Sequence, residues 1–182
     1  MTDDELLDLI RRTPWIERLL TSCEFELGRA VDGPVEPLHL ADGEPLEMIA
    51  GDGAGGAYLL AGDPGGPRAV VYADSEGQGG KIADDLRTAL ALVVGVPFHV
   101  DTATRYRLDD GGVRLRAYLE QVRAEELENW PSADDDRARL RAALDLPALD
   151  EGMIAALHAA DADERYRPIS DAGDRYDPLL PV

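Results

Sequence analysis

The sequence predicts an α+β fold: a small antiparallel sheet of three or more strands packed with helices, followed by a C-terminal helical extension. Three observations predict it. Residues 46–50, 57–61 and 69–73 are short apolar runs bounded by Gly, Asp and Pro. The segments on either side carry apolar residues at helical spacing. Between Glu47 and Pro97 the order reads strand, turn, strand, turn, strand, corner, helix.

The elements follow in chain order. Leu6, Leu7 and Ile10 share one helical face, with Thr2 or Asp3 as the cap. Pro14 suits the first turn of a second helix, in which Trp15, Ile16, Leu19, Leu20, Cys23 and Leu27 keep helical spacing up to Gly28. Residues 32–45 hold several Gly and Pro and read as an irregular crossing. Two strands flank Gly51-Asp52-Gly53-Ala54-Gly55-Gly56, which reads as a turn with positive φ at several sites. A third, Ala-Val-Val-Tyr-Ala at 69–73, is continuously apolar and so central. From Gly80 to Val96, Ile82, Leu86, Ala89, Leu90 and Val93 predict a helix that Pro97 stops. Further helices are expected over 108–128, 134–144 and 147–160. Residues 161–182 show no periodicity but repeat Arg-Tyr-x-Pro at Arg165 and Arg175. The domain reading is a core over 1–104, a helical extension over 105–160 packed on it, and an irregular tail over 161–182.

Composition narrows function. The chain has 182 residues with 37 acidic against 18 basic, a net charge of −19. Such a field repels nucleic acid, whose binding needs cations on phosphate, and disfavours anionic lipid. It steers a basic protein partner inward. No apolar stretch approaches the roughly 20 residues of a membrane span, and the acidic start, MTDDELLDL, is unlike a signal peptide. Cys23 is the only cysteine, which excludes an internal disulfide and a cysteine-based metal site. A cytoplasmic location is expected. Oligomeric state is not legible.

Two motifs approach nucleotide-binding loops and fail. Gly51, Gly53 and Gly56 match the dinucleotide fingerprint, with Glu76 some way downstream, but the residues after Gly56 are broken by Gly62 and Pro64 too soon for the required helix. Ser75-Glu76-Gly77-Gln78-Gly79-Gly80-Lys81-Ile82 sits where a P-loop would, yet lacks the first Gly and the Mg²⁺-binding hydroxyl, and Asp74 and Glu76 oppose phosphate. His39, His99 and His158 have no ligand spacing. Asp134-Asp135-Asp136 reads as helix-start acid favoured by the dipole, and Asp109-Asp110-Gly111-Gly112 as a turn. Cys23 reads as core, and Trp15 and Trp130 as packing anchors. No cofactor, metal or catalytic constellation is indicated. In an antiparallel meander, Asp52, Asp74 and Glu76 fall at one end of the sheet. With Asp84 and Asp85 on the first helical turns they would form one negative, partner-binding edge.

Three segments, at 48–60, 70–77 and 82–90, resemble the core of the SUKH superfamily: an Ala-Gly-Asp-Gly-x-Gly-Gly-x-Tyr-Leu-Leu run, Val-Val-Tyr-Ala-x-Ser-Glu-Gly, and Ile-Ala-Asp-Asp-Leu-x-x-Ala-Leu. The likeness covers about 50 residues. It implies helices around a bent antiparallel sheet. It also implies a non-enzymatic immunity protein that binds a toxin of interbacterial competition, often a nuclease. Two alternatives remain. One is a small-molecule or phosphate-handling enzyme using the Gly77 to Lys81 corner. The other is a regulatory adaptor acting through its tail.

Overall fold

The computed structural model describes residues 1–96, 113–149 and 151–180. The chain is α+β. Helix α1 (Asp3–Arg11) starts in a capping box. Thr2 Oγ1 accepts from the Glu5 amide, and the Glu5 carboxylate accepts from the Thr2 amide. Helix α2 (Pro14–Thr21) opens on Pro14. It stops well short of Gly28. The Phe25 amide donates to the Leu20 carbonyl at 3.0 Å and the Glu24 amide to Thr21 at 3.1 Å, a Schellman ending with Glu24 at φ 61°. The turn puts Phe25 into the core and leads into a short 3₁₀ turn, Leu27–Val31.

The sheet is a four-stranded antiparallel meander of β2 (Leu46–Gly51), β3 (Ala57–Ala61), β4 (Ala69–Ala73) and β5 (Gly79–Ala83). The strand positions read from the sequence match β2, β3 and β4. The predicted helix from Gly80 does not. Its first residues form β5, and α3 begins only at Leu86 and runs to Gly95. Asp85 explains the boundary: its side chain accepts from the Thr88 amide, so it is the N-cap.

Strands β3 and β4 are buried on both faces, which explains their unbroken apolar character. Tyr58, Leu60, Val70, Tyr72 and Ile82 face the main core with α1, α2 and α3. Ala57, Leu59, Ala61, Ala69, Val71 and Ala73 face a smaller cluster with Leu40 and Tyr176. That second face is covered by chain that lacks periodicity, including the two-stranded pair β1 (Leu38–His39) and β6 (Ile169–Ser170).

Helix α4 (Val113–Asn129) holds the described part of the extension's first predicted helix. The expected turn at residues 109–112 and His99 lie outside the described residues. Helix α5 (Ala133–Leu144) buries Leu140 and Leu144 as predicted and ends at Asp145 in the left-handed region. Arg139 lies 3.8 Å from the Trp15 ring, so Trp15 is a packing anchor. Trp130 donates to Asp136 at 2.9 Å. Cys23 is buried in the core, and burial pushes its thiol up to about 11. Helix α6 (Glu151–Asp161) packs on β5.

The tail is part of the fold. Asp161 and Arg167 form a buried ion pair at 3.1 Å. Asp161 also accepts from the Leu179 and Leu180 amides, and Arg167 donates to the Gly79 carbonyl at 2.6 Å. The Arg-Tyr-x-Pro side chains are engaged internally. Arg165 pairs with Asp42 and Glu44, Tyr176 donates to Glu36, and Arg175 pairs with Glu164.

Gly80 is where this clamp meets the sheet. A Cβ there would lie 2.2 Å from Asp161 Oδ1 and 3.0 Å from Arg167 Nη1. Gly80→Ala is therefore expected to destabilise by about 1–3 kcal/mol. Gly66→Ala, in open space, should stay within about 0.5 kcal/mol. Urea unfolding measures both, and equal stabilities would refute the packing.

His158 on α6 has its Nε2 buried without a hydrogen-bond partner. Burial holds its pKa below 6.5, with Asp161 opposing. The unfolded chain thus takes up the proton first, so stability is full above 6.5 and falls as pH drops from there toward the folded value. The carboxylates held below 3.8 by hydrogen bonds, Asp42, Asp134 and Asp136, titrate under this window. The urea midpoint should decline between about pH 7 and about pH 5. His158→Gln should flatten that decline, and an unchanged slope would assign it to other groups.

Candidate functional site at the turn end of the sheet

The meander puts two turns side by side, 52–56 between β2 and β3 and 74–78 between β4 and β5. Ser75 Oγ donates to the Ala54 carbonyl at 3.1 Å and joins them. Three carboxylates fix their backbones. Asp52 Oδ1 accepts from the Ala54 and Gly56 amides at 2.9 and 2.8 Å, and its Oδ2 accepts from the Tyr72 hydroxyl at 2.5 Å. Glu24 accepts from the Gly53 amide at 2.9 Å. Asp74 Oδ1 accepts from the Glu76 and Gln78 amides, each at 2.8 Å. These are charge-assisted bonds, the stronger kind.

Gly56 is required by close approach: a Cβ would sit 2.3 Å from the Tyr72 oxygen and 2.4 Å from Asp52 Oδ2. Of the glycines in the first turn, only Gly55 has positive φ, at 94°, so the sequence overstates that need. Beneath the turn, Phe25, Tyr58 and Tyr72 pack with ring centroids 4.9 and 5.0 Å apart. Burial, and then the bond to Asp52, raises the Tyr72 phenol; burial raises Tyr58. Both stay protonated at neutral pH.

The five acids predicted to share an edge do not. Asp52 is 7% exposed and satisfied internally, so it belongs to the scaffold. Asp74 is half-buried, with one oxygen committed to the turn, and Glu76 is exposed. Asp84 and Asp85 follow β5, which runs the length of the sheet, and so fall at its opposite end. There Asp84 pairs with Lys81 at 3.0 Å and Asp85 caps α3. The misplacement follows from reading β5 as helix.

Residues the sequence did not single out complete the end. Val31 and Val35 are 91% and 71% exposed. Val35 lies beside Gly55, within 3.9 Å of where a Cβ there would be. The Glu36 carboxylate holds the Tyr176 hydroxyl at 2.8 Å, and burial, then that bond, pushes the phenol up to about 12. Asp177 exchanges backbone hydrogen bonds with Gly77 and Gly79 and leaves its side chain exposed. Aliphatic residues isolated in a Gly/Pro-rich loop, with no periodic partners, were the available signal for Val31 and Val35.

The Gly77 to Lys81 corner feeds a strand. Lys81 pairs with Asp84 and Asp163 and lies 4.8 Å from the Tyr166 ring centroid, while Gly79 donates to Asp177. Among the described residues, no unpaired cation or helix start stands at this corner for the phosphate reading. Among the described residues, no three His, Cys, Asp or Glu converge as metal ligands, and no helix is long and apolar enough to cross a membrane. Searches of protein-family models, curated proteins and solved structures return no match to this chain.

The Asp52–Tyr72 bond generates a double-mutant test. Asp52→Ala strands a buried amide and a phenol and should cost about 1–3 kcal/mol; Tyr72→Phe should cost about 1–2 kcal/mol. In combination the losses should fall short of their sum, since both remove one contact. Strict additivity in urea unfolding would show that the contact does not form.

Proposed function

We propose that the chain is a non-enzymatic protein-binding module whose turn end takes a basic partner, as an immunity protein would in occluding a basic toxin of interbacterial competition. The observation that carries the reading is the makeup of that end. Exposed Val35 lies against the first turn, whose backbone is fixed by internal carboxylates; exposed Glu76 and Asp177 stand at the adjoining turn, and exposed Val31 and Asp32 lead into Val35 along the chain. Exposed aliphatic residues and carboxylates beside rigid turns suit protein recognition. Each valine buried by a partner contributes about 1.5–3 kcal/mol at most, and the carboxylates supply attraction and on-rate. The net charge of −19 extends that attraction. The SUKH-like segments support the same reading and carry with them a cytoplasmic location. The tail alternative is weaker because its side chains are engaged internally.

The test is affinity capture from the source lysate at low salt and at about 0.5 M salt, followed by binding measurements on the recovered protein. Val35→Asp should weaken binding at least about tenfold, close to 1.4 kcal/mol. Glu76→Lys should slow association and flatten its salt dependence. Asp84→Lys, at the far end, should bind like the parent. A partner that ignores Val35→Asp and Glu76→Lys would overturn the assignment to this surface.

A further inference from the structure

A cavity of about 460 Å³ opens on the helical side, between α4, α5 and the last turn of α3. Its lining runs against the charge of the chain. Arg116, Arg123, Arg137 and Arg141 face it, with Glu120 and Asp134 the only acids among the lining residues. Four of the 18 basic residues of a chain with net charge −19 thus converge on one recess.

Among the described residues, local pairing leaves one of them, Arg141, without a carboxylate. Arg123 forms a two-point contact with Asp134, and Arg137 does so with Glu126. Arg137 is 8% exposed, its guanidinium also interacts with Cys23, and its Nε is buried out of reach of solvent without a partner. Arg141 Nε is buried and unpartnered too, and no ion pair to the Arg141 guanidinium forms among the described residues. Buried donors without acceptors are unfavourable, and clustered guanidinium groups repel. An apolar filling would have been the simpler solution for a gap between helices.

We propose that this cavity binds a small oxyanion, a molecule bearing phosphate or clustered carboxylates, held by the outer nitrogens of the Arg141 guanidinium and flanked by Arg123. Guanidinium forks match the planar edges of carboxylate and phosphate. The volume is in the range of small-molecule sites. The site uses different elements from the turn end, so it stands or falls independently of the partner-binding reading.

Isothermal titration at constant ionic strength tests it, with inorganic phosphate, pyrophosphate and citrate as probes and sodium chloride as the control. Pyrophosphate or citrate should bind with a sub-millimolar Kd; preference between them separates phosphate from carboxylate chemistry. Arg141→Ala should weaken binding at least about tenfold, and Arg141→Lys, which keeps the charge but loses the fork, should fall between. Arg175→Ala, on the tail surface, should match the parent. Thermal melts establish that each variant is folded; if Arg141→Ala is not, Arg141→Lys carries the comparison. Heats no larger than the chloride control for all three probes, or binding undiminished in a folded Arg141 variant, would overturn the proposal.

Discussion

The buried pair of Asp161 and Arg167 fastens the C-terminal tail to the edge strand β5, and the chain that covers the outer face of the sheet hangs from that tail. Strands β3 and β4 are apolar on both faces, so the sheet needs two covers. Amphipathic helices supply the inner one, with leucines at each turn. The outer cover is built from chain without periodicity, with Leu40 and Tyr176 as its buried apolar residues. What holds it is polar: Asp161 takes two tail amides, Arg167 takes a β5 carbonyl, and each neutralises the other. Removing one member of a buried pair leaves an uncompensated charge, at about 3–5 kcal/mol. That makes the tail a structural element, although nothing in its sequence has a period.

The same distinction decides how much could be read in advance. Leu6, Leu7 and Ile10, the three apolar runs, and Leu140 with Leu144 were legible because one face of each meets a core and leaves a period. Strand β5 was not. Gly79, Gly80 and Lys81 carry no apolar signal, and Ile82 keeps helical spacing with Leu86 and Leu90 as readily as it fits a strand. Asp85, a helix cap in plain view, was the residue that argued for the later start. Missing one strand of an antiparallel meander has a specific consequence: whatever follows it moves to the other end of the sheet. Asp84 and Asp85 were displaced in that way. Asp52 was misread for a different reason. Its inward direction depends on Tyr72, two strands away on the sheet, and no local pattern encodes that distance.

The excess of acid also divides into two populations. Asp52, Asp74, Asp85 and Asp161 accept hydrogen bonds from backbone amides, and Asp3 accepts from the Arg68 amide at 3.0 Å. These carboxylates do the work that backbone ladders do elsewhere, at turns and crossings where no ladder exists. Net charge alone therefore overstates the acid available to a partner. The exposed remainder at the turn end, Glu76 and Asp177, is a smaller but better-defined feature.

Salt separates the two surfaces physically. A basic partner approaching the turn end is drawn by the summed field of the chain, which acts over distances comparable to the Debye length, about 10 Å at 0.1 M salt. Added salt weakens that attraction. A small anion entering the arginine-lined cavity meets the same field as repulsion, and its favourable contacts are short-range and partly buried, where screening is weak. Moderate salt therefore removes more of the opposition than of the attraction, until added anions compete directly. Opposite responses to screening from one chain follow from a negative whole enclosing a positive recess, and they would not arise if the acidity served solubility alone.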